Sequence, residues 1–198
     1  TFTVFTEDSE GKIVKEINQT NTWTLDGFNA LWSRFDMGGS RLRGDYYYPS
    51  TSDSPNNINR TGFFDIMFSM EEGIDITPLT KITDFDPSLV GASAHTVLER
   101  HGTIYDSFEL VEIEGREYVK LRHLRSWNFG SVVGEIRLVG LLESEHNFYE
   151  EIRRPFNEWV LIAGKKLEEP IEVTVEEQLF IRYDVILPMD LFSSSEIS

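Results

Sequence analysis

The sequence predicts a mainly β fold, an antiparallel β-sandwich or jelly roll with one short N-terminal amphipathic helix. Three observations predict it. Near the C-terminus the odd positions Ile171, Val173, Val175, Leu179, Ile181, Tyr183, Val185 and Leu187 are apolar, and Glu172, Thr174, Glu176, Gln178, Arg182 and Asp184 fall between them. A side-chain period of two marks strands with one face on a core and one face in water. Glu177 is the odd position that departs from the pattern, inside the break Glu176-Glu177-Gln178. Second, segments 108–113 and 117–124 flank Glu114-Gly115, a two-residue turn with glycine placed to take a positive φ. Third, a single stretch has convincing helical periodicity, and the remaining segments give roughly eight to ten short strands at a spacing that suits a sandwich or jelly roll.

The elements follow in order. Phe2, Val4 and Thr6 alternate with Thr1, Thr3 and Phe5, a turn-like Glu7-Asp8-Ser9-Glu10-Gly11 comes next, and Ile13 to Ile17 returns as the second arm of a hairpin. Thr24 is placed to cap a helix with Asp26 in its first turn, where the helix dipole favours negative charge. Leu25, Phe28, Leu31, Trp32 and Phe35 form its apolar stripe and Gly38-Gly39 ends it. So short a helix needs a sheet to pack on, whether at its end or on its face.

Segment 40–61 is rich in Ser, Pro and Asn and reads as a long loop. Phe64, Ile66, Phe68 and Met70 form the next strand, with Asp65 and Ser69 on the opposite face. Segment 75–93 is broken by Pro78, Pro87 and Gly91, and 94–101 reads as one helical turn. After the Glu114-Gly115 hairpin, 132–142 is a longer apolar strand in which Gly134 and Gly140 suggest bulges or close packing. Segment 143–158 is charged and irregular, with Pro155 barring a central helix. Trp159 to Ile162 is apolar, Gly164-Lys165-Lys166 is expected to turn the chain, and the final strands follow. The whole reads as a single β-rich domain over 1–192 with the long loop at 40–61 and a flexible tail at 193–198.

Composition narrows the function. With 34 acidic and 18 basic residues the formal charge is −16, which repels phosphate backbones and anionic membranes and disfavours nucleic-acid and membrane partners. There is no cysteine, so disulfides and thiolate metal sites are excluded. No apolar run approaches membrane-spanning length and no basic-then-apolar leader opens the chain, so synthesis in a cytoplasm without a signal peptide is expected. The two Asn-x-Thr matches at Asn18 and Asn59 are then chance occurrences.

Catalytic chemistry is not legible. His95, Glu99 and His101 lie close in sequence, but the spacing matches no zinc motif and a solvated role is preferred. Asp84 and Asp86 would face one way in a strand, as a cation or a glycosidase site needs. The following Pro87 makes capped turns the better reading. Glu71-Glu72, Glu150-Glu151 and Glu176-Glu177 are what an acidic surface produces, and no elbow or triad signature accompanies them. Tyr46, Tyr47 and Tyr48 in a polar loop are candidates for an interface or for stacking on sugar rings. Arg41, Arg43 and Arg60 beside them, and Arg153 and Arg154, are candidates to pair with acidic groups of a neighbouring subunit.

Two stretches together carry a family likeness. One is Asn21-Thr22-Trp23-Thr24-Leu25-Asp26-Gly27-Phe28-Asn29-Ala30-Leu31. The other is Glu169-Pro170-Ile171-Glu172-Val173-Thr174 followed by Gln178-Leu179-Phe180-Ile181-Arg182-Tyr183-Asp184-Val185-Ile186-Leu187. The pairing resembles small virion proteins of tailed bacteriophages, described as tail, neck or fibre-like structural proteins. The stretch from Asp36 to Leu167 carries no such likeness. The resemblance implies a virion subunit that acts by assembly with itself, as a homo-oligomer or ring, and with other virion proteins. It implies no enzyme activity, no cofactor and no metal. The alternatives from the residues are a carbohydrate-binding receptor-recognition module and a glycoside hydrolase-like enzyme using Asp84 or Asp86.

Overall fold

The computed structural model describes residues 1–29, 65–92, 103–143 and 156–188. Within them the strands are β1 (Phe2–Glu7), β2 (Ile13–Gln19), β3 (Thr22–Trp23), β4 (Asp65–Ser69), β5 (Val90–Ala92), β6 (Thr103–Ile113), β7 (Arg116–Trp127), β8 (Gly134–Glu143), β9 (Val160–Val173) and β10 (Gln178–Pro188). They form two five-stranded sheets, β2-β1-β10-β7-β6 and β3-β9-β8-β4-β5. All the pairings are antiparallel, and the two sheets make a sandwich.

The first sheet obeys the alternation that the sequence shows. Phe2, Val4, Leu179, Ile181, Tyr183 and Trp127 turn inward and join Ile66, Phe68, Val139, Leu141 and Ile162 of the second sheet in one core. Glu177, the polar residue at an inward position, is buried in the β9–β10 turn. Its carboxylate takes both the Lys15 ammonium at 3.0 Å and the Thr174 N–H at 3.2 Å. The break in the pattern is thus an ion pair that ties the turn to β2.

The second sheet does not show one wet face. Asp65 and Ser69 alternate with Ile66 and Phe68, yet all five residues of β4 are buried. A second cluster explains it: Met67, Leu138, Leu142 and Leu161 point away from the sandwich core and are covered by Ile76, Ile82, Phe85, Val90 and Trp159. Segment 74–89 lies over the outer face as a third layer, folded through short 3-10 turns at Ile82–Asp84 and Pro87–Leu89. A sheet covered on both faces reads as continuous apolar sequence rather than alternation.

The Gly164-Lys165-Lys166 turn is also corrected. The chain runs straight through it as part of β9, and Gly164 pairs with Gly140. A Cβ at Gly164 would stand 2.8 Å from the Val139 carbonyl oxygen, so the glycine serves close approach of β8 and β9 rather than reversal. The register shifts between Ile136 and Leu138 leave residues 167–170 of β9 opposite Arg137, and Pro170 is accommodated in this bulge, where no ladder N–H is needed.

Thr24 caps the helix start as expected. Its Oγ accepts the Gly27 N–H at 2.9 Å and donates to the carbonyl of Leu161, which fastens the first turn (residues 25–29) to β9. Within this described turn the docking residue is Gly27, while Leu25 and Phe28 are 52% and 56% exposed. The rest of the expected stripe, Leu31, Trp32 and Phe35, lies outside the described residues. A Cβ at Gly27 would fall 2.2 Å from the Ile162 carbonyl oxygen and 2.3 Å from its Cα. Backbone has to move to admit it, so Gly27→Ala is expected to destabilise by about 1–3 kcal/mol. A urea titration checks this as a lowered midpoint at unchanged slope.

Candidate interaction surface

Most of the residues singled out in the sequence lie outside the described segments. These are Arg41, Arg43, Tyr46, Tyr47, Tyr48, Arg60, Arg153 and Arg154, with His95, Glu99, His101, the loop at 40–61, the turn at 94–101 and the tail at 193–198. Asp84 and Asp86 are described, and both serve turns. Asp84 accepts the Lys81 N–H at 2.8 Å. Asp86 accepts the Ser88 hydroxyl at 2.7 Å and the Ser88 N–H at 2.9 Å. These Ser88 hydrogen bonds, the hydroxyl first, hold the Asp86 carboxyl below its ordinary range. Among the described residues no group of three His, Asp or Glu side chains is placed to hold a metal ion.

Titratable groups do gather inside the sandwich. Arg125 and His123 project inward from β7, and His123 is in register with Tyr183 of β10. The Arg125 guanidinium reaches across to Asp65, with Nε 3.9 Å from Oδ1 and both side chains almost fully buried. Burial pushes the Tyr183 hydroxyl far above its ordinary pKa, and among the described residues that hydroxyl meets no hydrogen-bond partner. A buried, unpartnered polar atom carries a desolvation cost. Tyr183→Phe keeps the stacked contact with Phe2, whose ring lies 5.4 Å away, and removes the cost. The variant is expected to be more stable by on the order of 1 kcal/mol, seen as a raised denaturation midpoint.

The outer face of the first sheet is satisfied by its own side chains. Thr3 donates to Asn18 at 2.6 Å and accepts from Arg182 at 3.0 Å. Arg122 pairs with Asp184 at 2.9 Å and Lys120 with Glu109 at 2.9 Å. Burial alone would raise the Asp184 carboxyl, but the Arg122 hydrogen bond and the charges of Arg122, Lys120 and Arg182 hold it below its ordinary value of 3.8. A depressed folded value means the unfolded chain binds the proton first as pH falls. The stabilisation is therefore complete above the ordinary carboxylate range and is lost as pH drops through the lowered folded value. Urea midpoints of the wild type and Asp184→Asn are expected to differ by a constant amount near neutrality and to converge below pH 3.8. A gap that persists into strong acid would show that the carboxylate contributes nothing.

The edges of the sheets differ sharply. An edge strand offers unpaired N–H and C=O groups to any passing strand, and proteins keep such edges short or covered. In the second sheet, β3 has two residues and β5 has three. In the first sheet, two side chains of the seven-residue edge strand β2 are tied to β9: Lys15 donates to the Glu172 carbonyl at 2.6 Å, and the Glu168 N–H reaches the Gln19 side chain at 3.2 Å. The other edge is β6, eleven residues long, and its outer side pairs with no strand among the described residues.

β6 and β7 form a hairpin paired without a slip from Thr103↔Ser126 to Ile113↔Arg116. Glu114 and Gly115 have φ of 52° and 78°, the two positive values of a type I′ turn, which matches the twist of the arms. Toward this turn the hairpin outruns the second sheet. Leu110, on the side of the sheet that faces the core, is 69% exposed, and Ile113 at the tip is 39% exposed. The hairpin and its turn are legible in the residues; that one arm is an edge among the described strands depends on strand order. Comparison with protein-family models, with curated proteins and with solved structures finds no match to this chain.

Proposed function

We propose that this chain is a structural subunit of a tailed-phage virion, in the tail, neck or fibre-attachment region, and that it acts by assembling with copies of itself and with other virion proteins. The observation that carries the assembly half of the reading is the eleven-residue β6 edge, which pairs with no further strand among the described residues, on a hairpin whose Leu110 is 69% exposed. Exposed strand edges and apolar side chains mark surfaces that bind other chains. The virion half rests on the resemblance carried by Asn21 to Leu31 and Glu169 to Leu187. The ion-paired outer face of the first sheet and the turn roles of Asp84 and Asp86 fit a scaffold.

Mass photometry across a concentration series tests assembly, with electron microscopy of the larger species. Oligomers with closed symmetry are the expected result. A chain that stays monomeric at every concentration, and is absent from purified particles by mass spectrometry, would remove the proposal.

A further inference from the structure

The short strand β3 pairs only with Ala163 and Gly164 of β9. From Lys165 to Val173 the side of β9 turned away from β8 meets no strand among the described residues. Backbone groups along such a flank are open to an added strand unless something else takes them. Here β2 supplies side chains. Lys15, Ile17 and Gln19 stand opposite Thr6, Val4 and Phe2 of β1, so the three share the inward face of their strand. Ile17 packs on the sandwich core, and the polar residue on either side of it reaches the flank of β9.

The Gln19 carboxamide donates to the Lys166 carbonyl at 3.4 Å and accepts the Glu168 N–H at 3.2 Å. A carbonyl and the N–H two residues further on are the groups that one residue of a parallel neighbour engages, so the carboxamide takes the place of such a residue. Further along, Pro170 has no N–H to offer. The Lys15 ammonium then takes the Glu172 carbonyl at 2.6 Å, held in position by Glu177 at 3.0 Å. We propose that Gln19 and Lys15 are side-chain substitutes for a strand, an intramolecular cap that closes β9 against strand addition by another copy of this chain. The cap acts whether or not the chain assembles through other surfaces.

Amide hydrogen exchange, resolved by residue, tests the cap where it sits. In Gln19→Thr the Glu168 amide is expected to exchange about tenfold faster. The Thr24 amide, bonded to the Ile162 carbonyl of the same strand at 3.0 Å, is expected to keep its wild-type rate. An unchanged Glu168 rate, or an equal rise at both amides, would overturn the cap.

Lys15→Thr/Gln19→Thr/Glu177→Gln removes both capping side chains without leaving the Glu177 carboxylate buried and unpaired. In sedimentation velocity across a concentration series, this variant is expected to associate at concentrations at least about tenfold below any at which the wild type does. A variant that is folded by circular dichroism and sediments as the wild type does would show that the two side chains protect nothing. Should the triple variant fail to fold, the Glu168 rate in Gln19→Thr decides alone.

Discussion

Arg125→Met is expected to cost about 3–5 kcal/mol, enough to consume much of the stability of an ordinary domain. The cost arises in what remains. Asp65 is almost fully buried, its Oδ1 3.9 Å from the Arg125 Nε and accepting the Ile66 N–H at 2.8 Å. Removing the guanidinium takes a positive charge away from a buried carboxylate, in a region where ionised groups are tolerated only in pairs. The second variant separates this from lost packing. Asp65→Asn on the Arg125→Met background removes the negative charge while keeping a side-chain oxygen near Ile66, and is expected to recover part of the loss. Urea denaturation of the two variants checks both steps. A single variant within about 1 kcal/mol of the wild type would mean that the two charges are not interdependent.

Trp127→Ala is expected to destabilise by a comparable 3–5 kcal/mol, by a different route. Trp127 ends β7 fully buried, with Phe68 of the opposing sheet set edge-on to its ring at 5.1 Å. Phe68 is in turn fixed from behind: a Cβ at Gly91 would lie 2.2 Å from its ring. The ring is therefore seated between an indole and a glycine, and the glycine has no side chain to fill the space the indole leaves. The residual cavity is what raises the cost above simple transfer of the side chain. Trp127→Phe keeps most of the volume and is expected to lose markedly less. Equal losses for the two variants would show that cavity volume is not what matters at this position.

Much of the first sheet was legible because it has one wet face. The alternation from Ile171 to Leu187 identified its central strand, and the Glu114-Gly115 turn identified the hairpin that became β6 and β7. The second sheet was not legible in the same way. β4 has no polar face because a layer of irregular chain lies over it, and nothing local in Asp65–Ser69 announces that cover. Gly164 misled for a related reason. A glycine before two lysines has the composition of a turn, whereas its role is to let the backbones of β8 and β9 approach. Tyr46 to Tyr48 and the arginines near them drew attention to segments outside the described residues, while the edge position of β6 among the described strands is a property of topology. A strand does not record in its own residues whether it lies in the middle of a sheet or at its margin.

The pairing of β1 with β10 is expected to form late in folding. Phe2 stands opposite Tyr183 and Glu7 opposite Gln178, so β1 cannot complete its pairing until β10 has been made. Until β10 arrives, β1–β2 and β6–β7 are two separate ribbons with bare flanks, and β10 is the strip that joins them. Contacts between such remote parts of a chain form late and place a fold toward the slow, millisecond-to-second end of the scale. Through that interval the half-made sheet is open to neighbouring nascent chains at several margins, whereas in the finished one only β2 and β6 lack a second strand partner among the described residues.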